Sequence, residues 1–163
     1  GGYGETKGVL SGDDDLLMHK LANRGWIIKN ILIPEATVSS PPPPTVGMFI
    51  RQRLRFASKG FIYYGMQETG FIFRLMLPFL WAVNLSVLTG QVAAIWTLRA
   101  EWLLPWFIKI MADEIILGLT SRLMQRQFSP VPFFLAEVWH SLYIVMFGAL
   151  GPLLPVQWKG RTQ

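Results

Sequence analysis

Three long apolar runs in the second half of the chain constrain its fold more than any other feature. They extend roughly over Phe71 to Trp96, broken by Pro78 and Gly90, over Trp102 to Leu119, and over Phe133 to Leu154. Each is close to the about 20 apolar residues that a helix needs to cross a bilayer. Trp81, Trp96, Trp102, Trp106, Trp139 and Trp158 suit interfacial belts at several of their ends. Up to about Gly60, by contrast, charges are spread throughout, as in a soluble protein. The expectation is therefore a soluble N-terminal part followed by a helical membrane part of about three apolar segments.

The rest of the composition narrows the chemistry. With no cysteine, the chain has no disulfide framework, thiolate zinc site or cysteine nucleophile. Only His19 and His140 are present, too few to favour a histidine-based metal site. The formal net charge is +5, and the basic residues sit mainly beside apolar runs. That placement suits an anionic headgroup layer. No basic stripe with interleaved aromatics appears, which argues against nucleic acid as a partner. The chain opens on Gly1-Gly2-Tyr3-Gly4 and reads as part of a longer polypeptide.

Within the N-terminal part, Gly1 to Gly12 is glycine-rich loop, and a short helix is expected from about Asp13 to Arg24. Its aspartates favour the positive end of the helix dipole, and Gly25 supplies a stop. Trp26 to Ile33 is rich in isoleucine and predicts a buried strand ended by Pro34. Pro41 to Pro44 reads as a stiff polyproline connector, with an SH3-type ligand as the other possibility. A second helix is expected from about Thr45 through Lys59, carrying Arg51, Arg53, Arg55 and Lys59 among apolar residues, as a membrane-surface helix would.

Two constellations carry chemistry. In Ser11-Gly12-Asp13-Asp14-Asp15-Leu16-Leu17, three adjacent carboxylates repel one another. Such a cluster serves as an acidic helix start, or as a general base that deprotonates a hydroxyl. In Gln52-Arg53-Leu54-Arg55-Phe56-Ala57-Ser58-Lys59, Gln52 and Arg55 are three apart and share a helix face. Arginine offers a bidentate fork to a diphosphate, glutamine adds neutral hydrogen bonds, and the ring of Phe56 can cover a sugar.

Taken together, the Ser-Gly-Asp-Asp run, the Arg-Phe helix about forty residues later and the membrane segments resemble the membrane-bound family 2 glycosyltransferases. In that family a Thr-Glu-Asp or Gly-Asp-Asp motif supplies the base, and a Gln-x-x-Arg-Trp motif binds the donor diphosphate and caps the acceptor site. The resemblance implies that Asp14 is the base and Asp13 its acidic neighbour. It implies that Gln52 and Arg55 hold the diphosphate, with Phe56 standing where tryptophan is usual. Phenylalanine keeps the aromatic face and loses the indole N–H.

The fold implied is an α+β fragment of a GT-A glycosyltransferase domain followed by the membrane helices. Residues 1–44 would be the C-terminal piece of the catalytic domain, 45–70 the interfacial helix region and 71–163 the transmembrane region. The activity implied is inverting transfer of a sugar from a nucleotide-sugar donor to a lipid-like or polysaccharide acceptor, at the cytoplasmic face of a bacterial inner membrane. A hydrophobic alcohol, such as a polyprenol, a glycolipid or a hydroxycarotenoid, is slightly favoured. A divalent cation, magnesium or manganese, would be bound mainly by an upstream Asp-x-Asp domain, so this segment by itself is expected to be inactive and to supply no metal ligands. The alternative is a non-catalytic membrane subunit, with other membrane subunits as partners, that retains the scaffold.

Charges inside the apolar runs need their own account, because each costs about 2.5–3.5 kcal/mol on insertion scales. Lys109 and Asp113 are four apart and can pair on one helix face, with Glu114 adjacent. Glu137 and His140 are three apart and read as interhelical or interfacial contacts. His19 reads as a structural residue of the first helix.

Overall fold

A computed structural model of the chain describes residues 13–155, 157–158 and 161–162. Helices dominate it. In chain order they are α1 (Asp13–Asn23), α2 (Val46–Ala57), α3 (Ile62–Gly65), α4 (Phe71–Thr97), α5 (Leu104–Leu123) and α6 (Pro130–Leu150). Short 3-10 turns occupy Pro34–Ala36 and Ala100–Leu103. Among the described residues, the one strand pairing is antiparallel, Gln157–Trp158 (β1) with Arg161–Thr162 (β2).

The expected α+β GT-A fragment is therefore not what forms: the structure is helical, without a sheet that could carry such a domain. The strand predicted over Trp26 to Ile33 has no regular structure, and its apolar side chains are exposed, Ile27 at 85%. A strand is held by ladder hydrogen bonds to a neighbour, so β-branched composition alone cannot make one. The segment ends instead in the turn Pro34–Ala36, where Thr37 donates from its backbone N–H to the Pro34 carbonyl and from Oγ1 to the Ile33 carbonyl.

The helix boundaries follow from local chemistry. Asp13 opens α1, which stops ahead of Gly25 at φ +81°, a left-handed position that favours glycine. Thr45 caps α2: its Oγ1 accepts from the Met48 N–H at 3.2 Å. At the other end of α2, Ser58 donates its N–H to the Leu54 carbonyl and its hydroxyl to that of Arg55.

Two helices, α4 with 27 residues and α6 with 21, are long and apolar enough to cross a membrane. A core helix of a soluble protein would pass the same test, but its apolar side chains would be covered. Here only 11% and 17% of the two apolar windows are buried. The third expected segment is not of this kind. Its start forms the turn Ala100–Leu103, and α5 carries Lys109, Asp113, Glu114 and Arg122. The expected three spans thus reduce to two candidates, because charge, not length, disqualifies α5.

Inside α4, several polar side chains bond back to the helix, as apolar surroundings favour, although the Asn84 carbonyl oxygen is buried without a partner. Asn84, Ser86, Thr89 and Thr97 donate back to the carbonyls of Leu80, Val83, Leu85 and Ala93. Pro78 has no N–H, so the Arg74 carbonyl one turn earlier lacks its helical donor. The hydroxyl of Tyr64 supplies the replacement at 2.9 Å.

The chain divides into two compact units. The first contains α1, α2, α3, α4 as far as Phe79, and the chain from Met146 onward. Here Gly151 lies tightly against Ala57, and the rings of Phe49 and Phe147 meet edge to face. The second contains residues 30–40, α4 from Leu80, α5, and α6 as far as Val145. In it the Trp81 indole N–H donates to the Val145 carbonyl at 3.2 Å, tying α4 to α6. Gly90 is buried where the Trp102 carbonyl approaches α4 so closely that a methyl group would collide with it. Gly90→Val should therefore destabilise the second unit by about 1–3 kcal/mol through overpacking. Thermal denaturation in detergent checks this; an unchanged midpoint would show that the approach is loose.

Candidate functional site

The acidic turn and the end of α2 meet in the first unit, and the residue that joins them is Asp15. The Lys59 ammonium donates to both of its carboxylate oxygens, at 3.2 Å to Oδ1 and 3.0 Å to Oδ2. The Tyr63 hydroxyl donates to Oδ2 as well. Helical geometry explains the choice of carboxylate. Asp15 and His19 lie one turn apart, with Leu16 fully buried beside them. His19 packs edge-on against Tyr63 and Phe73, and Tyr63 against Phe73, with ring centroids 4.7–5.8 Å apart. This face of α1 is inward, and Asp14, the next position round the helix, is exposed.

The buried contact changes the phenol. Burial first, then the hydrogen bond to Asp15 and the negative charges of Asp15 and Asp14, push the Tyr63 pKa well above that of a free phenol. Tyr63 thus stays a donor. Because its folded pKa is raised, the contact loses stability when the pH rises past the ordinary phenol range near about 10, where the unfolded chain would ionise first.

The other predicted site residues fall as follows. Asp13 opens α1, and its side chain lies outside the described residues. Gln52, Arg55 and Phe56 all lie on α2. The Arg55 guanidinium stands 4.6 Å from the centroid of the Phe56 ring, and that ring is 43% exposed. Arg53 lies over Phe49 and Phe56. The Gln52 side-chain carbonyl oxygen is buried without a hydrogen-bond partner. α2 therefore carries an arginine guanidinium, an aromatic face and a side-chain amide, of which the amide NH2, not its buried carbonyl oxygen, is the kind of group that donates to a phosphate.

A divalent cation does not fit what is described of the acidic turn. Asp15 already receives an ammonium and a phenol, and a single exposed carboxylate at Asp14 is not a chelating set.

A second polar cluster lies in the other unit. Lys109 on α5 is buried, and its ammonium lies 2.6 Å from Asp113 Oδ2, 2.6 Å from Glu137 Oε2 and 2.9 Å from His140 Nδ1. The two pairs separated by short spacings in the sequence thus form one cluster across α5 and α6. Asp113, Glu137 and His140 place ligand atoms within 4.8 Å of one another, as a cation site would. The lysine provides the cation itself, since its ammonium touches all three. The cluster reads as a lock between two helices, in which the ammonium offsets one of the two carboxylate charges. Tyr143 stacks on His140 with ring centroids 5.9 Å apart.

Sequence reasoning missed Tyr63 and the role of Asp15. The spacing of Asp15, Leu16 and His19 was a usable signal for the inward face of α1; nothing local pointed to Tyr63, 48 residues away from Asp15. Replacing Lys109 with methionine would leave two carboxylates facing each other without their cation. Lys109→Met should cost about 3–5 kcal/mol, measured as a lower midpoint in SDS titration of the micelle-bound protein. An unshifted midpoint would remove the lock.

Comparison with protein-family models, curated proteins and solved structures finds no match to this chain.

Proposed function

We propose that the chain takes part in inverting transfer of a sugar from a nucleotide-sugar to the hydroxyl of a lipid-like acceptor, at the cytoplasmic face of a bacterial membrane. The observation that carries this reading is the tie between the acidic turn and the diphosphate-type helix. Through Asp15, Lys59 and Tyr63, the turn bearing Asp14 is held to the end of the helix bearing Gln52, Arg55 and Phe56. A base, an anion fork and an aromatic platform in one compact unit are the groups that such a transfer requires. The two apolar helices, long enough to cross a membrane, support an acceptor drawn from the lipid phase.

In this reading Asp14, exposed at the start of α1, accepts the proton of the acceptor hydroxyl. The acceptor oxygen attacks the anomeric carbon from the side opposite the leaving group, and the bond from that carbon to the diphosphate oxygen breaks. The electron pair leaves with the diphosphate, whose charge Arg55 offsets while Gln52 adds hydrogen bonds. Phe56 lies against the acceptor. The basic side chains of α2 suit the anionic cytoplasmic leaflet.

The test uses membranes containing the full-length protein, a panel of radiolabelled nucleotide-hexoses and extraction of the labelled lipid. Asp14→Asn should lower label transfer by about 10²–10⁴-fold while leaving membrane insertion intact. Undiminished turnover would eliminate Asp14 as the base and favour a non-catalytic membrane subunit. Arg55→Ala should weaken nucleotide-sugar binding by about tenfold or more, read from the donor KM; an unchanged value would refute the diphosphate role.

A further inference from the structure

We propose that Asp15 is a positioning residue, and that Lys59 and Tyr63 form with it a latch that sets where the helix backbone bearing Asp14 stands. The proposal rests on the glycosyl-transfer reading for its purpose, but its geometry is independent of that reading.

Three adjacent aspartates look interchangeable in sequence, and Asp15 is the one least able to act as a base. Its Oδ1 takes Lys59, and its Oδ2 takes both Lys59 and Tyr63. An incoming hydroxyl finds both of these oxygens already occupied by hydrogen bonds. One residue earlier, a helical step of about 100° turns Asp14 to the open side. Holding Asp15 therefore fixes the helix backbone from which Asp14 projects.

Both holders are themselves braced. Lys59 lies just beyond α2, and its side chain is only 13% exposed. The exit from α2 is closed by the Ser58 bonds to Leu54 and Arg55 and by the Gly60 N–H to the Ala57 carbonyl. Gly151 packs on Ala57, and Pro152 lies near Gly60. Tyr63 is buried between His19 and Phe73. Because Lys59 lies two residues beyond α2, the helix that carries Arg55, the latch joins the stretch bearing the proposed base to the end of the helix bearing the proposed diphosphate fork. An error of about 1 Å in such an alignment is enough to cost about a hundredfold in rate.

Hydrogen–deuterium exchange of the full polypeptide in detergent micelles tests the latch directly, followed over the α1 amides from Leu16 to Asn23. Lys59→Met and Asp15→Asn should each speed exchange in α1 by about tenfold, with α4 and α6 unchanged. The exchanged pair, Asp15→Lys with Lys59→Asp, should recover most of the protection. Unchanged α1 exchange in both single variants would overturn the latch. Where a charge variant loosens α4 and α6 as well, Tyr63→Phe decides, because it deletes only the hydroxyl. Faster α1 exchange in Tyr63→Phe supports the latch, and wild-type exchange overturns it.

The same variants go into the label-transfer assay. Lys59→Met should lower kcat by about 10- to 100-fold at unchanged donor KM. A rise in KM with kcat intact would make Lys59 a donor ligand and overturn its positioning role. Asp14→Asn should abolish transfer without altering α1 exchange. If α1 responds to Lys59→Met while Asp14→Asn turns over normally, the latch stands and the assignment of the base falls.

Discussion

The carboxylate of Asp15, with an ammonium and a phenol on it, is the interaction on which the first unit depends. α1 has 11 residues, too short to be stable as an isolated helix in water. It keeps its shape by burying Leu16 and by docking Asp15 and His19 onto Lys59, Tyr63 and Phe73. Removing the polar contact would leave a half-buried charge facing an unanswered one, so the apolar and polar parts of the docking are not separable. The arrangement also divides the labour of the acidic turn: one carboxylate is consumed by structure, and its neighbour stays in the open.

The Lys109 cluster follows the same physics for a different end. In both places a lysine that is largely withdrawn from water is surrounded by acceptors. Around Lys59 the acceptor is a single aspartate, and its other neighbours leave Asp14 exposed to a reactant. Around Lys109, two carboxylates and a histidine nitrogen close on the ammonium, and Glu137 is itself buried. The ammonium ties α5 to α6, while Asp113 and His140 at its edge stay partly exposed. The tie also explains how α5 can carry Lys109 and Asp113 while packing beside an apolar helix.

What could be read from the sequence depended on how local the cause was. Helix α1 stops where Gly25 allows a left-handed turn, α2 starts at a threonine cap, and α4 and α6 follow their apolar length. Each of these is decided within a turn or two of chain. The failures were non-local. The isoleucines of residues 26–33 prefer an extended backbone, and the backbone there is irregular and unpaired, because a strand exists only with a neighbour. The span expected near Trp102 to Leu119 looked continuous in apolar content, and its charges count against crossing even though they find partners on α6. The candidate site divides along the same line. That Gln52, Arg55 and Phe56 lie on one helix was legible from their spacing, while the pairing of Asp15 with Tyr63 joins positions 48 apart and left no local trace.

That division bears on how the three aspartates should be understood. A run of like charges is self-repelling, and a chain keeps one only where each member has a different counterpart. Asp13 begins the helix, where the dipole favours a negative charge. Asp15 has Lys59 and Tyr63. Asp14, in the same first turn, shares the favourable end of the dipole and is exposed without the contacts that Asp15 makes. Holding Asp15 fixes the stretch of helix from which Asp14 projects, and the exposed Asp14 side chain keeps its own rotamers. A defined backbone position separates this carboxylate from one on a freely moving acidic tail, and the general-base role proposed for it depends on such a position.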